Sequence, residues 1–433
     1  MGEQIIPFQG SLIHLSHSNL ESTITAPAHE RTPTPSQSAV LTKTVAYFAA
    51  FVILGLAVAV IGPTLPGLAE RTSSSLNQVS ILFVGLSVGY LAGSLIGGRQ
   101  YDRIPGHRLA GGALLLLVAV FALAPFIPLL WLLTGLLIVL GFAEGMLDVG
   151  GNTMLVWLHG NRVPPYMNGL HFAFGFGAFI SPIIVAQVIL NFGDISWAYW
   201  IIALLAFPVA VWLLRLPSPS APPPEPAGSD RQIDARLVAL LALFFFLVVG
   251  AESAMGGWVF IYANQQFGSD LSGAQAVSFA AIAAYLTSAY WGALTLGRLL
   301  GIPISTRFRS RRILFVDLLG CLISALFILI YPTSWVVLWI GTIGSGLFMA
   351  SVFPTALNLA ERRMALRGAI TRWFFVGSSL GGMVLPWIIG QLIEPIGTIT
   401  VIVGMTISLL LAIAVFYLIL RFSTVSSEAG RTF

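Results

Sequence analysis

Long apolar stretches recur along the chain, separated by short segments that are polar or rich in proline and glycine. Twelve of them reach the roughly 20 residues that a helix needs to cross the hydrocarbon core of a bilayer. The predicted spans are residues 43–66, 77–99, 107–126, 129–158, 166–190, 195–215, 236–265, 272–300, 312–331, 335–360, 368–391 and 397–421. The pattern predicts an all-α membrane protein with twelve transmembrane helices.

A proline-rich segment, PSPSAPPPEPAGSDRQIDAR at residues 217–236, separates the sixth span from the seventh. Proline interrupts helices and favours extended polyproline structure, so this segment is predicted to be a linker between two bundles of six helices. The predicted organisation is a disordered tail at 1–40, an N-terminal bundle at 41–216, a linker at 217–235, a C-terminal bundle at 236–421 and a tail at 422–433.

Composition supports a membrane location. Charged residues make up 9% of the chain, against about 25% in soluble domains, and 57% of the residues are hydrophobic. A lipid bilayer is therefore the expected environment, and nucleic acid is not an expected partner. The single cysteine, Cys321, excludes an internal disulfide and a cysteine-based metal cluster. No cofactor or structural metal is expected, and the protein is expected to be a monomer.

The basic residues indicate an orientation. Lys and Arg fall in the tails, in the 2–3, 4–5, 6–7, 8–9 and 10–11 loops or at the adjoining helix ends, with Arg71 as the exception. The positive-inside rule assigns that side to the cytoplasm. We predict a multi-pass protein of the cell (inner or plasma) membrane with both termini in the cytoplasm.

The two halves carry related segments at corresponding places. GGRQYDRIPGHR at 97–108 follows span two, and LGRLLGIPISTRFRSRR at 296–312 follows span eight. In each, Gly-Arg leads into a short basic loop. Internal repeats of this kind are typical of secondary transporters, whose halves rock about a central site.

The first of these segments resembles the 2–3 loop signature of the major facilitator superfamily. The matching residues are Gly97, Asp102, Arg103, Gly106 and Arg108, whereas Pro105 and His107 depart from the pattern. The resemblance implies that the loop is a latch between the two halves on the cytoplasmic side. Basic residues that only fix the topology are the alternative. Arg298 and Asp317 are assigned to the corresponding latch of the second half, with Asp317 expected to pair with a loop arginine.

A narrower resemblance extends over most of residues 45–420. The segments that carry it are LDVGGNT (147–153), GLHFAFGFGAFISP (169–182), VGAESAMGGWVFIYA (249–263), YWGALTLGRLLGIPIS (290–305), SVFPTALNLAE (351–361) and GGMVLPWIIGQL (381–392). They look like the fucose/galactose/glucose symporters, and most of all like their relatives described as sodium-dependent glucose transporters. Asp148 and Asn152 match the acidic-x-x-x-Asn pattern of the sugar symporters. The resemblance implies that the acid handles the coupling ion or the sugar hydroxyls.

Two carboxyl groups in the fourth span need an explanation. Glu144 and Asp148 are four residues apart, so they share a helical face about 6 Å apart along the axis. Asn152 lies one turn further along. Two adjacent carboxylates cannot both stay ionised in a low dielectric without a cation, so either one holds a proton or a cation shares them. Asp148 and Asn152 are candidate Na⁺ ligands. An acid held by an Arg or Ser of the bundle is the structural alternative.

Polar residues in the second half give further candidates. Glu252 lies near the middle of span seven, followed by Gly256 and Gly257, which allow either local unwinding or close approach of another helix. Trp258 and Asn264 are candidates in the same span. In span ten, Pro354 is expected to kink the helix and to free a backbone carbonyl next to Ser351, Thr355 and Asn358. That kink serves either a ligand or a gating hinge.

His171 and Gln187 in span five are the remaining candidate polar liners of the binding site. No Lys or Arg falls in the middle third of any span, because Arg298 is placed at the inner end of span eight. A buried anion must be paired, so the missing central cation, together with the three acids, favours a neutral hydroxylated solute with a cation, or a cationic solute, over an anion. It also favours a transported ion over a fixed arginine as the partner of the acids.

These observations favour a secondary active transporter that couples symport of a neutral sugar or polyol to Na⁺ or H⁺. A proton-coupled exporter of drugs or metabolites from the same superfamily is the alternative. A membrane receptor or scaffold has no need for acids at the midplane. No nucleophile–base set, metal-ligand cluster or phosphate-binding loop indicates an enzyme.

Overall fold

The computed structural model describes residues 37–220, 234–361 and 368–429. The helices of the first half are α1 Gln37–Arg71, α2 Leu76–Val79, α3 Ile81–Gln100, α4 Gly106–Leu123, α5 Leu130–His159, α6 Val163–Phe192 and α7 Ser196–Arg215. Those of the second half are α8 Ala235–Gly268, α9 Gly273–Arg307, α10 Ser310–Ile330, α11 Trp335–Met349, α12 Val352–Glu361, α13 Gly368–Ile396 and α14 Thr400–Ala429.

Twelve membrane crossings follow from these helices. Eleven segments of the described residues are long and apolar enough to span a bilayer, and one of them, Leu130–Phe192, has 63 residues. A straight helix of that length would extend roughly 95 Å. The 3₁₀ turn Gly160–Arg162 interrupts it between α5 and α6. Both helices contact the same part of α1, where Phe51 meets Gly151 of α5 and Gly55 meets Phe174 of α6. The chain therefore reverses at Gly160, and the expected all-α fold of twelve transmembrane helices is confirmed.

Two predicted boundaries differ from the helices at the chain ends. Helix α1 begins at Gln37, inside the tail predicted for 1–40, and α14 continues to Ala429, past the boundary predicted at 421. Both extensions lack proline and glycine, and Gly430 is the first helix-breaking residue after α14. Residues 1–36, most of the predicted linker and Arg362, Arg363 and Arg367 lie outside the described residues.

Glycines allow pairs of helices to approach at backbone distance, and the same pairing occurs in both halves. A Cβ on Gly177 of α6 would lie 2.0 Å from the Val52 carbonyl oxygen of α1, and one on Gly89 of α3 would lie 2.0 Å from that of Ile138 in α5. In the second half, a Cβ on Gly381 of α13 would lie 2.0 Å from the Phe246 carbonyl oxygen of α8, and one on Gly297 of α9 would lie 2.5 Å from the Leu347 carbonyl oxygen of α11. Close packing through small residues replaces the hydrophobic effect as the force that holds helices together in lipid.

The α3–α5 contact is the most extensive of these seams. Four glycines, Gly85, Gly89, Gly93 and Gly97, are buried at four-residue spacing along α3. Gly141 and Gly145 of α5 face α3 in turn, and a Cβ on either would lie 2.0 to 2.2 Å from a backbone oxygen of α3. The two helices thus touch backbone to backbone, which fixes their relative position.

The two ends of the helix bundle differ in how the halves meet. We call the end that contains residues 100–106, 215–220 and 234–235 the linker end, and the end that contains 71–76, 268–273 and 396–400 the far end. Toward the far end, Gly62 of α1 packs against the backbone of Gly256 and Gly257 in α8. Of the two roles open to these glycines, the structure shows close approach, and α8 stays helical through them.

Arg71, the exception in the distribution of basic residues, lies at the far end of α1. Its guanidinium donates hydrogen bonds to the Pro125 carbonyl oxygen, the Asp194 carboxylate and the Ser196 hydroxyl. Burial acts to raise the pKa of Asp194, but hydrogen bonds from Ser196 and Arg71 outweigh it and hold the pKa below its usual value. This arginine therefore joins three segments of the first half at its far end.

The α3–α5 seam should be intolerant of a single methyl group. Ala has a higher helix propensity than Gly by about 1 kcal/mol, but at Gly89 its Cβ would meet backbone that cannot rotate away, and such overpacking costs about 1–3 kcal/mol. We expect Gly89→Ala to lower the thermal unfolding midpoint in detergent. Gly112 of α4 has no atom within 4 Å of its Cβ position, so Gly112→Ala is the matched control and should leave the midpoint unchanged or raised. Equal midpoints for the two variants would contradict the seam as a determinant of stability.

Candidate functional site

The α3–α5 seam brings Tyr90 against Asp148. The Tyr90 hydroxyl donates a hydrogen bond of 2.5 Å to one carboxylate oxygen of Asp148, and the Asn152 amide donates one of 3.0 Å to the other. The same amide donates to the Asp148 backbone oxygen at 2.8 Å. Asp148 and Asn152 are half-buried. The site thus holds a carboxylate whose two oxygens are oriented by side chains of two helices.

Glu144 lies one turn from Asp148, toward the far end, in a different environment. Its side chain is 1% exposed, and its Oε1 atom has no hydrogen-bond partner. The Tyr90 hydroxyl interacts electrostatically with both acids. An ionised carboxylate with an unpartnered buried oxygen is strongly disfavoured. Glu144 therefore lies behind the site as a neutral group in this arrangement, while Asp148 faces the space between the halves.

Glu252 has a fixed cationic partner. The Arg298 guanidinium lies 4.0 Å from the Glu252 carboxylate, and both side chains are partly exposed, at 25% and 19%. The charge of Arg298 also acts on Asp148 and on His171. The expectation that no basic side chain lies near the middle of the membrane is wrong for Arg298, whereas Glu144 and Asp148 take part in no ion pair among the described residues. The prediction judged Arg298 by the position of its backbone at the end of span eight. However, α9 continues to Arg307, and the long side chain of Arg298 reaches the level of Glu252, midway along α8.

The assignment of Arg298 to a cytoplasmic latch is wrong for the same reason. Its guanidinium lies over the Phe174 ring of α6, 5.9 Å from the ring centroid, and so crosses from the second half to the first. His171, one turn before Phe174, packs edge-on against Phe51 at 6.3 Å between ring centroids. The structure therefore brings together Asp148, Asn152, Glu252 and His171 of the predicted residues, around an arginine placed elsewhere by sequence.

Three other predicted residues lie toward the far end, away from this cluster. Asn264 lines a surface recess with Pro66, Glu70 and Gln265. Gln187 donates a hydrogen bond of 2.5 Å to the Tyr285 hydroxyl of the opposite half. Trp258 is fully buried, donates to the Pro386 carbonyl oxygen at 2.9 Å and packs on Phe83. These three side chains therefore lie apart from the cluster around Asp148.

The predicted kink in span ten is present. The helix breaks between Met349 and Val352, since Pro354 has no N–H to donate to the Ala350 carbonyl. The Ser351 hydroxyl at this break donates a hydrogen bond to Asp317, which is 8% exposed. Among the described residues, Asp317 is bound by Ser351 and not by a loop arginine as predicted, because it lies two turns inside α10 and faces the break. Thr355 is buried in α12, whereas Asn358 is exposed.

The residues assigned to the first latch are not engaged. Asp102, Arg103 and Arg108 are exposed, and they take part in no ion pair within 37–220, 234–361 and 368–429. Gly97 and Gly106 are buried, where they pack on Met146 and Met154 of α5. Their role as a latch stays a prediction.

Hydrogen bonds between the two halves concentrate at the far end. Gln391 of α13 donates bonds of 3.0 Å to the Asn77 carbonyl oxygen and to the Ser80 hydroxyl, and the Asn77 N–H donates to Glu394 at 3.4 Å. Ser288 of α9 donates to the Phe179 carbonyl oxygen at 2.7 Å. The Gln187–Tyr285 bond also joins the halves toward the far end. The far end is closed, and the polar cluster lies on its linker side.

Sequence reasoning missed two residues of the cluster. Tyr90 is the hydroxyl donor to Asp148, and the glycines at four-residue spacing around it in GLSVGYLAGSLIGG were the available signal. Tyr290 of α9 is the second, because its hydroxyl donates to the Glu252 carbonyl oxygen at 3.2 Å. Nothing in the local sequence distinguishes Tyr290 from a tyrosine of the helix core.

Comparisons with known proteins agree with this geometry. The sequence profile of the Major Facilitator Superfamily matches residues 47–302. The sodium-dependent glucose transporter 1A of Mus musculus is 31% identical over 383 residues, which cover 80% of this chain and 88% of that protein. The sodium-dependent glucose transporter 1 of Homo sapiens is 31% identical over 382 residues, covering 79% of this chain and 72% of that protein.

Solved structures show the same fold. The nucleoside transporter NupG superposes with a TM-score of 0.68 at 14% identity, covering 88% of this chain and 98% of that one. A bacterial homologue of the human lysosomal transporter Spinster gives a TM-score of 0.69 at 13% identity, covering 89% and 98%. The resemblance drawn from the motifs is thus confirmed. This chain belongs to the major facilitator superfamily and is an integral membrane transporter, not an enzyme.

Proposed function

We propose that this transporter carries a neutral sugar or related polyol by alternating access, in symport with a cation, Na⁺ or H⁺. The names of its relatives, at 31% identity over most of the chain, support the sugar and the cation. The single observation that carries the proposal is the half-buried Asp148 carboxylate, held by Tyr90 and Asn152 in the space between the two halves.

The charges of the cluster fit a neutral solute with a cation. Glu144, Asp148 and Glu252 contribute three carboxyl groups, and Arg298 contributes one guanidinium, which is paired with Glu252. An arginine that is already paired does not offer an uncompensated charge to a buried anion. A proton or Na⁺ that binds at the Asp148 carboxylate reduces the cost of holding a negative charge in a low dielectric.

The arrangement of contacts fits one state of an alternating-access cycle. Hydrogen bonds between the halves lie at the far end, and from them we infer that the cluster is reached from the linker end. The basic loops lie at the linker end, so the positive-inside rule makes that end cytoplasmic. We propose that the protein lies in the cell membrane with both termini in the cytoplasm and that this state faces inward.

The proposed symport predicts gradient-driven uptake. In proteoliposomes, labelled glucose should accumulate above its equilibrium level only when an inward Na⁺ or H⁺ gradient is imposed, because the cation supplies the free energy. Uptake is measured with each gradient separately and with a protonophore as control. Indifference to both gradients, together with proton-driven efflux of a lipophilic cationic dye, would replace the symporter with an exporter.

Asp148→Asn should uncouple the carrier. The amide keeps the size of the side chain but has no negative charge for a cation, so we expect gradient-driven accumulation to fall at least tenfold while exchange of labelled for unlabelled sugar persists. Asp270→Asn, at an exposed acid between α8 and α9, is the matched control and should accumulate sugar normally. Full accumulation by Asp148→Asn would remove Asp148 from the coupling role.

Loss of the Gln391 hydrogen bonds should open the far end. Each bond contributes about 0.5–1.5 kcal/mol, so removal of two should raise the far-end-open population by about tenfold. Cys321 is fully buried, so a cysteine at Ser87, between α3 and α13, can report accessibility to an impermeant maleimide added at the far side. Gln391→Leu should label faster than the parent with Ser87→Cys alone. The exposed Gln265→Leu should not, and an equal rate for both would exclude Gln391 from closure.

A further inference from the structure

The Glu252–Arg298 pair has unused hydrogen-bonding capacity. At 4.0 Å the two groups attract each other as charges, but neither side chain makes a hydrogen bond in the described part of the protein. A guanidinium carries five N–H donors, and a carboxylate has about four acceptor sites. Both groups are partly exposed to the space between the halves. The pair is thus fixed in position by charge and open in its hydrogen bonds.

The other described arginine–carboxylate pair, Arg71 with Asp194, makes many hydrogen bonds. Arg71 donates to Asp194, to the Ser196 hydroxyl and to the Pro125 carbonyl oxygen, and Asp194 also accepts a 3.0 Å bond from the Ser196 N–H. That pair joins segments of the first half and has its donors and acceptors filled. An ion pair that served only to hold α8 to α9 would be expected to have the same character.

Trp291 adds a third group with an unfilled donor. It lies two turns from Arg298 on the same face of α9 and packs against Gly256, one turn beyond Glu252 in α8; a Cβ there would lie 2.7 Å from the indole ring. The indole is 6% exposed, and its Nε1 has no hydrogen-bond partner. Buried N–H groups are almost always paired, so an unpaired one on the helix face that also carries Arg298, packed one turn from Glu252, points to a ligand.

We propose that Glu252, Arg298 and Trp291 form the sugar-binding subsite of the second half, separate from the cation-binding Asp148 of the first. This inference rests on the proposed function and assigns to α8 and α9 the part of the site that recognises the substrate. Two neighbouring hydroxyl groups of the sugar bridge the pair: one donates to the Glu252 carboxylate, and the other accepts from the Arg298 guanidinium. The Trp291 N–H donates to a third oxygen.

The chemistry of the pair selects for a vicinal diol. A hydroxyl group both donates and accepts, so a diol satisfies a carboxylate and a guanidinium at once without adding charge. A monocarboxylate would compete with Glu252 for Arg298 and leave Glu252 unpaired, and a lone cation would do the reverse. Either would leave one buried charge uncompensated. Phe174, beneath the guanidinium, holds Arg298 in the orientation that the bridge needs.

The test measures equilibrium binding of labelled glucose to the purified full-length protein, with unlabelled monodeoxy-glucoses as competitors. Glu252→Gln keeps the shape of the side chain, and Trp291→Phe keeps a ring but loses the N–H. Charge-assisted hydrogen bonds are the strong ones, so we expect Glu252→Gln to weaken glucose binding about tenfold or more. Trp291→Phe should weaken it several-fold. Asp194→Asn breaks the filled pair and is the matched control, with lower thermal stability but unchanged glucose affinity.

The relative affinities for the monodeoxy-glucoses separate direct binding from a structural role, because a pair with only a structural role would not change them. A glucose that lacks a bridging hydroxyl should bind to the unmodified protein about tenfold more weakly than glucose does. To Glu252→Gln, the same deoxy-glucose should bind no more weakly than glucose does. The effect of Na⁺ or pH on binding should persist in Glu252→Gln. Glucose bound equally by unmodified protein, Glu252→Gln and Trp291→Phe would overturn this subsite alone. Failure of the unmodified protein to bind any hexose would overturn the proposed function, and the subsite with it.

Discussion

An ionised side chain inside a membrane needs a compensating partner, and this constraint organises the centre of the protein. Burial of an unpaired charge is far more unfavourable than any single packing interaction is favourable. Each acid in the cluster meets the constraint differently: Glu252 by a guanidinium, Asp148 by a hydroxyl and an amide, and Glu144 by being neutral behind Tyr90. Of the three acids, Asp148 alone combines partial exposure with oriented carboxylate oxygens and no ion pair in the described part of the protein, so it is the one with room for a mobile cation.

Glycine packing determines where these groups stand. Asp148 meets Tyr90 because α3 and α5 touch at backbone distance along Gly89, Gly93, Gly141 and Gly145. Glu252 meets Arg298 in the second half, where Trp291 of α9 packs directly on Gly256 of α8. Close glycine packing therefore sets the relative positions of the helix pairs that carry the acids. Toward the far end the halves meet through hydrogen bonds, the Gly62 crossing and the packing of Phe83 on Trp258.

The sequence predicted the helices and the acids well. It failed for side chains whose partners lie on another helix. Apolar length identified twelve spans, and the Glu144–Asp148 spacing identified the central acid, because both signals are local. Arg298 was misplaced because its charge lies several ångströms from its Cα, across an interface that the sequence does not show. Asp317 was assigned to loop arginines nearby in sequence, whereas its partner Ser351 is 34 residues away at a helix break. Tyr90 was missed because its role depends on the partner of α3.

The position of Arg298 suggests how the two halves sense each other. It belongs to the second half, is paired with Glu252 there, and acts electrostatically on Asp148 in the first half. A ligand shifts a conformational equilibrium only by its different affinities for the two states. A cation bound at Asp148 would remove the attraction between that carboxylate and Arg298, and a sugar bound at Glu252 and Arg298 would redirect the guanidinium. Each proposed ligand thus changes the same interaction across the interface. Coupling between cation and sugar then requires no contact between them, because both act on the charge of one arginine.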